Sequence, residues 1–271
     1  MEIHYFEIPY RGGMVYVEPL GDIHVGSVAT LYERLAERVE AIKKDKRRYW
    51  IGMGDYIDNI RPWRRGVVDK RWELSLLGDG ENSTADWLRQ WDMFVDIVKP
   101  IRHKCIGMLW GNHEWSSFEE SEFRRYVSKD LGARFLGSRC MVRLRILGKD
   151  VKREDWTLFA THGTYGGKRE GGLVNELKGL VRQYFANIYL YGHTHTKVQI
   201  HGLRVALYEQ GNGKAGLRTE PYVAMTTGGF LNPFHLGTDT YYDKRVSDKE
   251  IRPGTLTVGI DPVREKVHVF E

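Results

Sequence analysis

Five short apolar runs, each ending in a glycine-bearing turn that also carries histidine or a carboxylate, constrain this chain more than any other feature. Met14–Pro19 leads into Gly21-Asp22-Ile23-His24, Tyr49–Met53 into Gly54-Asp55, and Cys105–Trp110 into Gly111-Asn112-His113-Glu114. Trp156–Ala160 leads into Thr161-His162-Gly163, and Ile188–Tyr191 into Gly192-His193-Thr194-His195. In α/β sheets, ligands bind at the carboxyl ends of strands. Five such ends on neighbouring strands would deliver Asp22, His24, Asp55, Asn112, His162, His193 and His195 into one small volume.

The intervals between these runs fit that reading. Leu31, Leu35, Val39 and Ile42 recur at three- and four-residue steps and predict a helix. Trp87, Trp91, Phe94, Val95 and Val98 predict a second, capped by Ser83 or Thr84. Met141–Leu147 and Trp156–Ala160 flank a polar turn and read as a hairpin. A helix is expected from about Leu173 to Phe185. Further strands are expected at Val198–Tyr208, Tyr222–Thr227, Thr255–Gly259 and Lys266–Phe270. No repeat or Pro/Ser-rich linker divides the 271 residues. The reading is therefore one domain over residues 1–271, with an insertion at about 59–83.

The candidate ligands offer imidazole, carboxylate and amide, and no thiolate. That mixture suits Mn, Fe, Zn or Ni and disfavours an all-oxygen magnesium or calcium cage. Seven groups exceed a four-coordinate structural zinc and suit two ions sharing a carboxylate. In Asp22-x-His24 and His193-x-His195, residues i and i+2 point the same way on an extended strand end. Glycines at 21, 54, 111, 163 and 192 remove side chains where the backbone must turn sharply.

Taken together, Gly21-Asp22-Ile23-His24, Gly54-Asp55-Tyr56-Ile57-Asp58, Gly111-Asn112-His113-Glu114, Thr161-His162-Gly163 and Gly192-His193-Thr194-His195 resemble the calcineurin-like metallophosphoesterase superfamily. The resemblance spans residues 21–195. It implies a four-layer α/β/β/α sandwich with two mixed β-sheets. It also implies two divalent metal ions, manganese first among the candidates. Asp22, His24 and His195 would hold one, Asn112, His162 and His193 the other, and Asp55 would bridge them. The implied activity is phosphoester hydrolysis by a metal-bridging hydroxide. His113 would face the leaving group, and the Asp58 carboxylate would orient it. Glu114 fits either a supporting role behind the ligands or a solvated carboxylate. The superfamily's phosphoprotein phosphatases follow the second motif with an arginine that holds phosphate. Here Asn59-Ile60 stand there, with Arg61, Arg64 and Arg65 beyond, and the Gly-His-x-His ending looks more like the phosphodiesterase and nuclease branches.

Substrate choice is read from the insertion. Arg61–Trp72 carries five positive charges, one negative charge and two tryptophans. Arg and Lys neutralise phosphates, and tryptophan stacks on bases. Arg61, Trp63, Arg64 and Arg65 are therefore candidate substrate contacts, and nucleic acid the expected partner. The alternatives are a phosphomonoesterase acting on a small phosphate or a phosphoprotein, and a non-catalytic subunit that retains the metals. Arg38–Arg48, also basic, reads as a solvated face away from the site. The formal charge of +5 permits a phosphate-bearing partner without requiring one. Two cysteines, Cys105 and Cys140, exclude a disulfide framework and read as buried packers. No apolar run approaches the ~18 residues of a membrane-spanning helix. Met1–His4 begins no basic-then-apolar leader, so no membrane association and a cytoplasmic location are expected.

Overall fold

The computed structural model describes residues 3–27, 29–58, 84–164, 170–209, 215–232 and 253–271. The insertion at 59–83, with Arg61, Trp63, Arg64 and Arg65, lies outside the described residues. In chain order the elements are β1 Ile3–Pro9, β2 Val15–Leu20, α1 Tyr32–Lys44, β3 Arg48–Gly52 and α2 Thr84–Val98. A 3-10 turn over Lys99–Lys104 leads into β4 Cys105–Met108, α3 Asn112–Trp115, α4 Glu120–Leu131, β5 Arg139–Leu147 and β6 Asp155–Thr161. Then come α5 Glu170–Gln183, β7 Ile188–Tyr191, β8 Gln199–Glu209, β9 Ala215–Thr226 and β10 Gly228–Gly229. The chain ends with β11 Gly254–Thr255, β12 Thr257–Asp261 and β13 Lys266–Phe270.

Two mixed sheets result. One has the order β1-β5-β6-β7-β9-β8, the other β13-β12-β2-β3-β4. In the second, β2, β3 and β4 are parallel and β12 runs against β2. In the first, β6, β7 and β9 are parallel, and the expected hairpin is the antiparallel pair β5–β6. The sheets face each other across a core that takes Val17 and Ile51 from one and Val142, Leu158 and Leu190 from the other. Outside the five-stranded sheet, Leu35 and Ile42 of α1, Trp91 and Phe94 of α2, and Phe123 and Val127 of α4 pack on Trp50 and Met108. Outside the six-stranded sheet, Leu177 of α5 packs on Phe159 and Tyr189. The order helix, sheet, sheet, helix is the four-layer sandwich that the resemblance implied.

This layering explains the strand sequences. β7 is buried along its whole length, so Ile188–Tyr191 is continuously apolar rather than alternating. β5 alternates, because its Cys140, Val142, Leu144 and Ile146 face the core. The basic stretch near the end of α1 is in part the solvated face expected of it, with Lys43 and Lys44 exposed, but its two ends turn inward. Arg38 and Arg48 both reach the fully buried carboxylate of Glu18 on β2, where Thr257 Oγ1 donates at 2.7 Å. Of the cysteines, Cys140 is fully buried and Cys105 half-buried; burial pushes the Cys140 thiol up to about 12. Among the described residues no helix is long and apolar enough to cross a membrane.

Candidate metal centre

The five glycine-bearing turns lie at the carboxyl ends of β2, β3 and β4 in one sheet and of β6 and β7 in the other. The site therefore forms where the two sheets' edges meet, not along neighbouring strands of one sheet. Backbone conformation aims the side chains. Asp22, His24, Asp55, His193 and His195 adopt φ of 49°, 55°, 52°, 68° and 55°. Left-handed backbone is uncommon away from glycine, and each instance costs on the order of 1–3 kcal/mol. Among the described residues, only Glu265 otherwise shares it without being glycine. The loops interlock closely. A Cβ on Gly111 would fall against Asp55 Oδ1, and one on Gly54 would stand 2.7 Å from His162 Nδ1.

The candidate ligands gather in two clusters. One contains Asp22, His24 and His195, the other Asp55, His162 and His193; within each, ligand atoms lie within 4.8 Å of one another. His195 Nε2 stands 3.7 Å from Asp22 Oδ1. His162 Nε2 stands 3.3 Å from Asp55 Oδ2 and 3.1 Å from Asn112 Oδ1, which brings Asn112 into the second cluster. Asp55 Oδ2 also lies 3.9 Å from His24 Nε2, so this carboxylate faces both clusters. His113 Nε2 is at the same distance, 3.9 Å, from Asp55 Oδ2. All seven candidate ligands and His113 thus come together.

Asp58 stands differently from the expected arrangement. Its carboxylate Oδ1 lies 3.3 Å from His24 Nδ1, while His113 Nδ1 makes a short contact with its main-chain carbonyl. Nδ1–H of His113 donates to that carbonyl, which fixes the tautomer and leaves Nε2 facing the cluster. His24, Asp58 and His113 also bring ligand atoms within 4.8 Å. Two residues support the ligands from behind: Glu114, in the first of its two expected roles, and Gln90, which was not expected. Glu114 is fully buried, and its carboxylate accepts N–H bonds from Asp55 (2.9 Å), Tyr56 (2.7 Å), Ile57 (3.3 Å) and Gly111 (2.8 Å). Gln90 of α2 accepts the Asp58 N–H at 3.1 Å. The sequence signal for Glu114 was its place one residue after His113. Gln90 gave none, since a polar residue on an amphipathic helix normally faces water.

The electrostatics fit divalent cations. Asp22 Oδ1 and His193 Nδ1 are buried without a hydrogen-bond partner among the described residues. Burial, and then the Asp55 charge, push the Asp22 carboxyl well above its ordinary value, against the pull of His162. Burial alone would raise Asp55, but the charges of His162 and His113 outweigh it and hold Asp55 well below the usual range. Burial would lower His162, but Asp55 and Asp22 lift it to about 10. Burial, with the His162 charge, lowers His193 to about 4, and burial with the His24 charge lowers His195 well below its ordinary value. Unmatched carboxylate and imidazole atoms out of water are costly unless a charge is supplied to them. Their imidazole-and-carboxylate chemistry is that of borderline transition-metal ions.

Beside the second cluster is a cavity of about 230 Å³, lined by His162, Trp115, Arg139, Thr164, Tyr184 and Tyr191 among others. Trp115 ends the helix that begins with Asn112 and His113, and its ring is 46% exposed. Phe230 is buried, and its N–H donates to Asp22 O at 2.9 Å.

Among solved structures, the chain is similar to a conserved uncharacterized protein of Streptococcus pneumoniae TIGR4 described as a predicted phosphoesterase. Identity is 12%, over 93% of this chain and 86% of that one, with a TM-score of 0.37. A metallophosphoesterase from Sphaerobacter thermophilus gives 12%, 95%, 89% and 0.36 for the same quantities. The NAD nucleotidase of Haemophilus influenzae gives 11% identity over 96% of this chain and 49% of that one, with a TM-score of 0.39. No curated protein sequence matches significantly. The sequence profile of the calcineurin-like phosphoesterases does match, over residues 20–197, which takes in all five turns. The chain belongs to the calcineurin-like phosphoesterase family and is a metal-dependent phosphoester hydrolase.

Proposed function

We propose that this hydrolase uses two divalent ions, manganese first among the candidates, and cleaves phosphodiesters of nucleic acid. The observation that carries the reading is the meeting of two ligand clusters on one carboxylate, Asp55. In this reading Asp22, His24 and His195 hold one ion, and Asn112, His162 and His193 the other. What two such ions supply is a clamp on phosphoryl oxygens and the acidification of a water between them.

The rest of the chemistry belongs to the chain. His113 donates through Nδ1 to the Asp58 carbonyl, so its Nε2 is held toward the site. When protonated, that nitrogen gives its proton to the departing oxygen as a general acid. The Asp58 carboxylate, 3.3 Å from His24 Nδ1, orients a candidate ligand through its second nitrogen. The cavity beside His162, with half-exposed Trp115 at its wall and Arg139 nearby, supports a substrate that carries a flat ring next to its phosphate. At about 230 Å³ it is smaller than the ~300 Å³ at which drug-sized pockets begin, so it suits one ring system. Arg61, Trp63, Arg64 and Arg65 are proposed as further contacts to the strand.

The manganese-loaded protein is expected to cleave DNA, RNA or bis-p-nitrophenyl phosphate faster than p-nitrophenyl phosphate. His113→Ala is expected to lower turnover by ~10²–10⁴-fold while bound manganese stays at the wild-type level. A strong preference for the monoester would replace the diesterase reading by a phosphomonoesterase.

A further inference from the structure

The inner face of the six-stranded sheet runs on past the sheet that covers it. On β9, Val223 and Met225 face the core between the sheets. Alternation carries that same face back through Pro221, Thr219 and Leu217. The register sets these three opposite Leu203, Val205 and Leu207 of β8. There the cover ends: Leu203, Val205, Leu207 and Leu217 are 70%, 66%, 77% and 69% exposed. Among the described residues these are core-facing positions without a core.

Three of the hairpin's charges lie on the other face. Arg218 pairs with Glu220, and Arg204 donates to Tyr189 Oη, all on the opposite face. From His201 to Leu207 and from Leu217 to Pro221, the uncovered face carries no Asp, Glu, Lys or Arg. Among the described residues β8 is also an edge strand, hydrogen-bonded on one side only. Edge strands in soluble proteins are normally blunted by charge or proline; here Arg204 lies on the opposite face, donating to Tyr189.

We propose that a second copy of this chain docks on the uncovered face of the β8–β9 hairpin, about a two-fold axis that brings the two hairpins face to face. Charge argues for this occupant. Two like chains of formal charge +5 repel wherever their charges meet, and from His201 to Leu207 and from Leu217 to Pro221 this face offers none to meet. Area agrees. The four side chains present roughly 500 Å² of apolar surface per copy, in the upper part of the range for an ordinary monomer's largest patch. Matched across a two-fold axis they bury up to about 1,000 Å², the least a biological interface needs. Each hairpin then supplies the missing layer for the other, as in sheet-on-sheet packing about 10 Å apart. An isologous contact of this kind closes on itself and does not propagate.

Sedimentation velocity of the full chain at micromolar concentration is expected to show a dimer. Leu207→Glu/Leu217→Glu is expected to weaken association by at least about tenfold, while circular dichroism shows each copy still folded, because both side chains are exposed in a single copy. If that variant does not fold, Leu203→Gln/Val205→Thr asks the same question more gently. Ile3→Glu, 67% exposed on β1 at the opposite edge of the sheet, is expected to remain dimeric. A monomeric wild type, or a folded hairpin variant that stays dimeric, would overturn the proposal.

Discussion

Glu114 has the least freedom of any residue near the site. Its carboxylate collects main-chain N–H groups from the Asp55 turn and from Gly111, so one side chain sets the relative position of two ligand-bearing loops. Burial and the Asp55 charge push its carboxyl up, and the Gly111 N–H opposes them. An amide in its place keeps the shape but turns one oxygen into a donor facing N–H groups. Leaving a buried N–H unmatched costs about 1–3 kcal/mol. Glu114→Gln is therefore expected to destabilise the protein by about 2–4 kcal/mol. Loss of a group that orients ligands costs ~10–100-fold in metal affinity. Chemical denaturation and calorimetric manganese titration of the variant would check both. Wild-type values in both would remove Glu114 from the site's support. The residue types were legible in the sequence, since imidazole, carboxylate and amide at five strand ends are visible as letters. How Asp58 divides its main chain and side chain between His113 and His24 was not, because that depends on a left-handed turn no local pattern encodes.

At the scale of elements, legibility followed burial pattern. Strands β2, β3, β4, β6 and β7 are clear apolar runs and helices α1, α2 and α5 clear apolar periods, and their expected positions differ by a few residues at most. α4 was missed, since its apolar stripe is only Phe123, Val127 and Leu131 among charged neighbours. β1 was missed as an edge strand with Ile3 and Tyr5 turned to solvent. The start of β9 was missed because its first residues lie beyond the core. At the opposite end of the strands from the site, a polar knot ties β6, β7 and β9. Glu220 Oε2 accepts from Arg153 Nη2 at 2.8 Å and from Asn187 Nδ2 at 3.0 Å, while Asn187 Oδ1 accepts the Thr157 N–H at 3.1 Å. Burial alone would raise Glu220, but the hydrogen bonds from Arg153 and Asn187 outweigh it and hold the carboxyl below its ordinary 4.5. A depressed carboxyl stabilises the fold above its unfolded pKa and loses that stabilisation as pH falls through the folded value. Removing one partner of a buried pair costs about 3 kcal/mol. Glu220→Gln is thus expected to lose about that much near neutral pH. The gap from wild type should shrink steadily as pH drops below 4.5. Urea unfolding at several pH values measures it, and a gap that does not change with pH would exclude this role.

At the scale of the molecule, each cluster joins the two sheets. Asp22 and His24 follow β2 in the five-stranded sheet, whereas His195 follows β7 in the six-stranded one. Asp55 and Asn112 follow β3 and β4, and they meet His162 after β6 and His193 after β7. Proposed ion ligands on both sheets make metal binding a staple across the sandwich, since pulling the sheets apart breaks both sets. An ion that binds only the native state stabilises it by about 2.7 kcal/mol at one hundred times its dissociation constant. For a large domain each kcal/mol moves the melting temperature by roughly 2–4 °C. Manganese is therefore expected to raise the melting temperature by roughly 5–11 °C over the EDTA-treated protein. Asp55→Ala, which removes the carboxylate facing both clusters, should abolish most of that increment. The comparison isolates the staple from the core, because the apolar layer between the sheets is the same with or without metal. If calorimetry finds one melting temperature in EDTA and in excess manganese, the clusters do not bind manganese in the native state, and the strain in their five left-handed residues needs another cause.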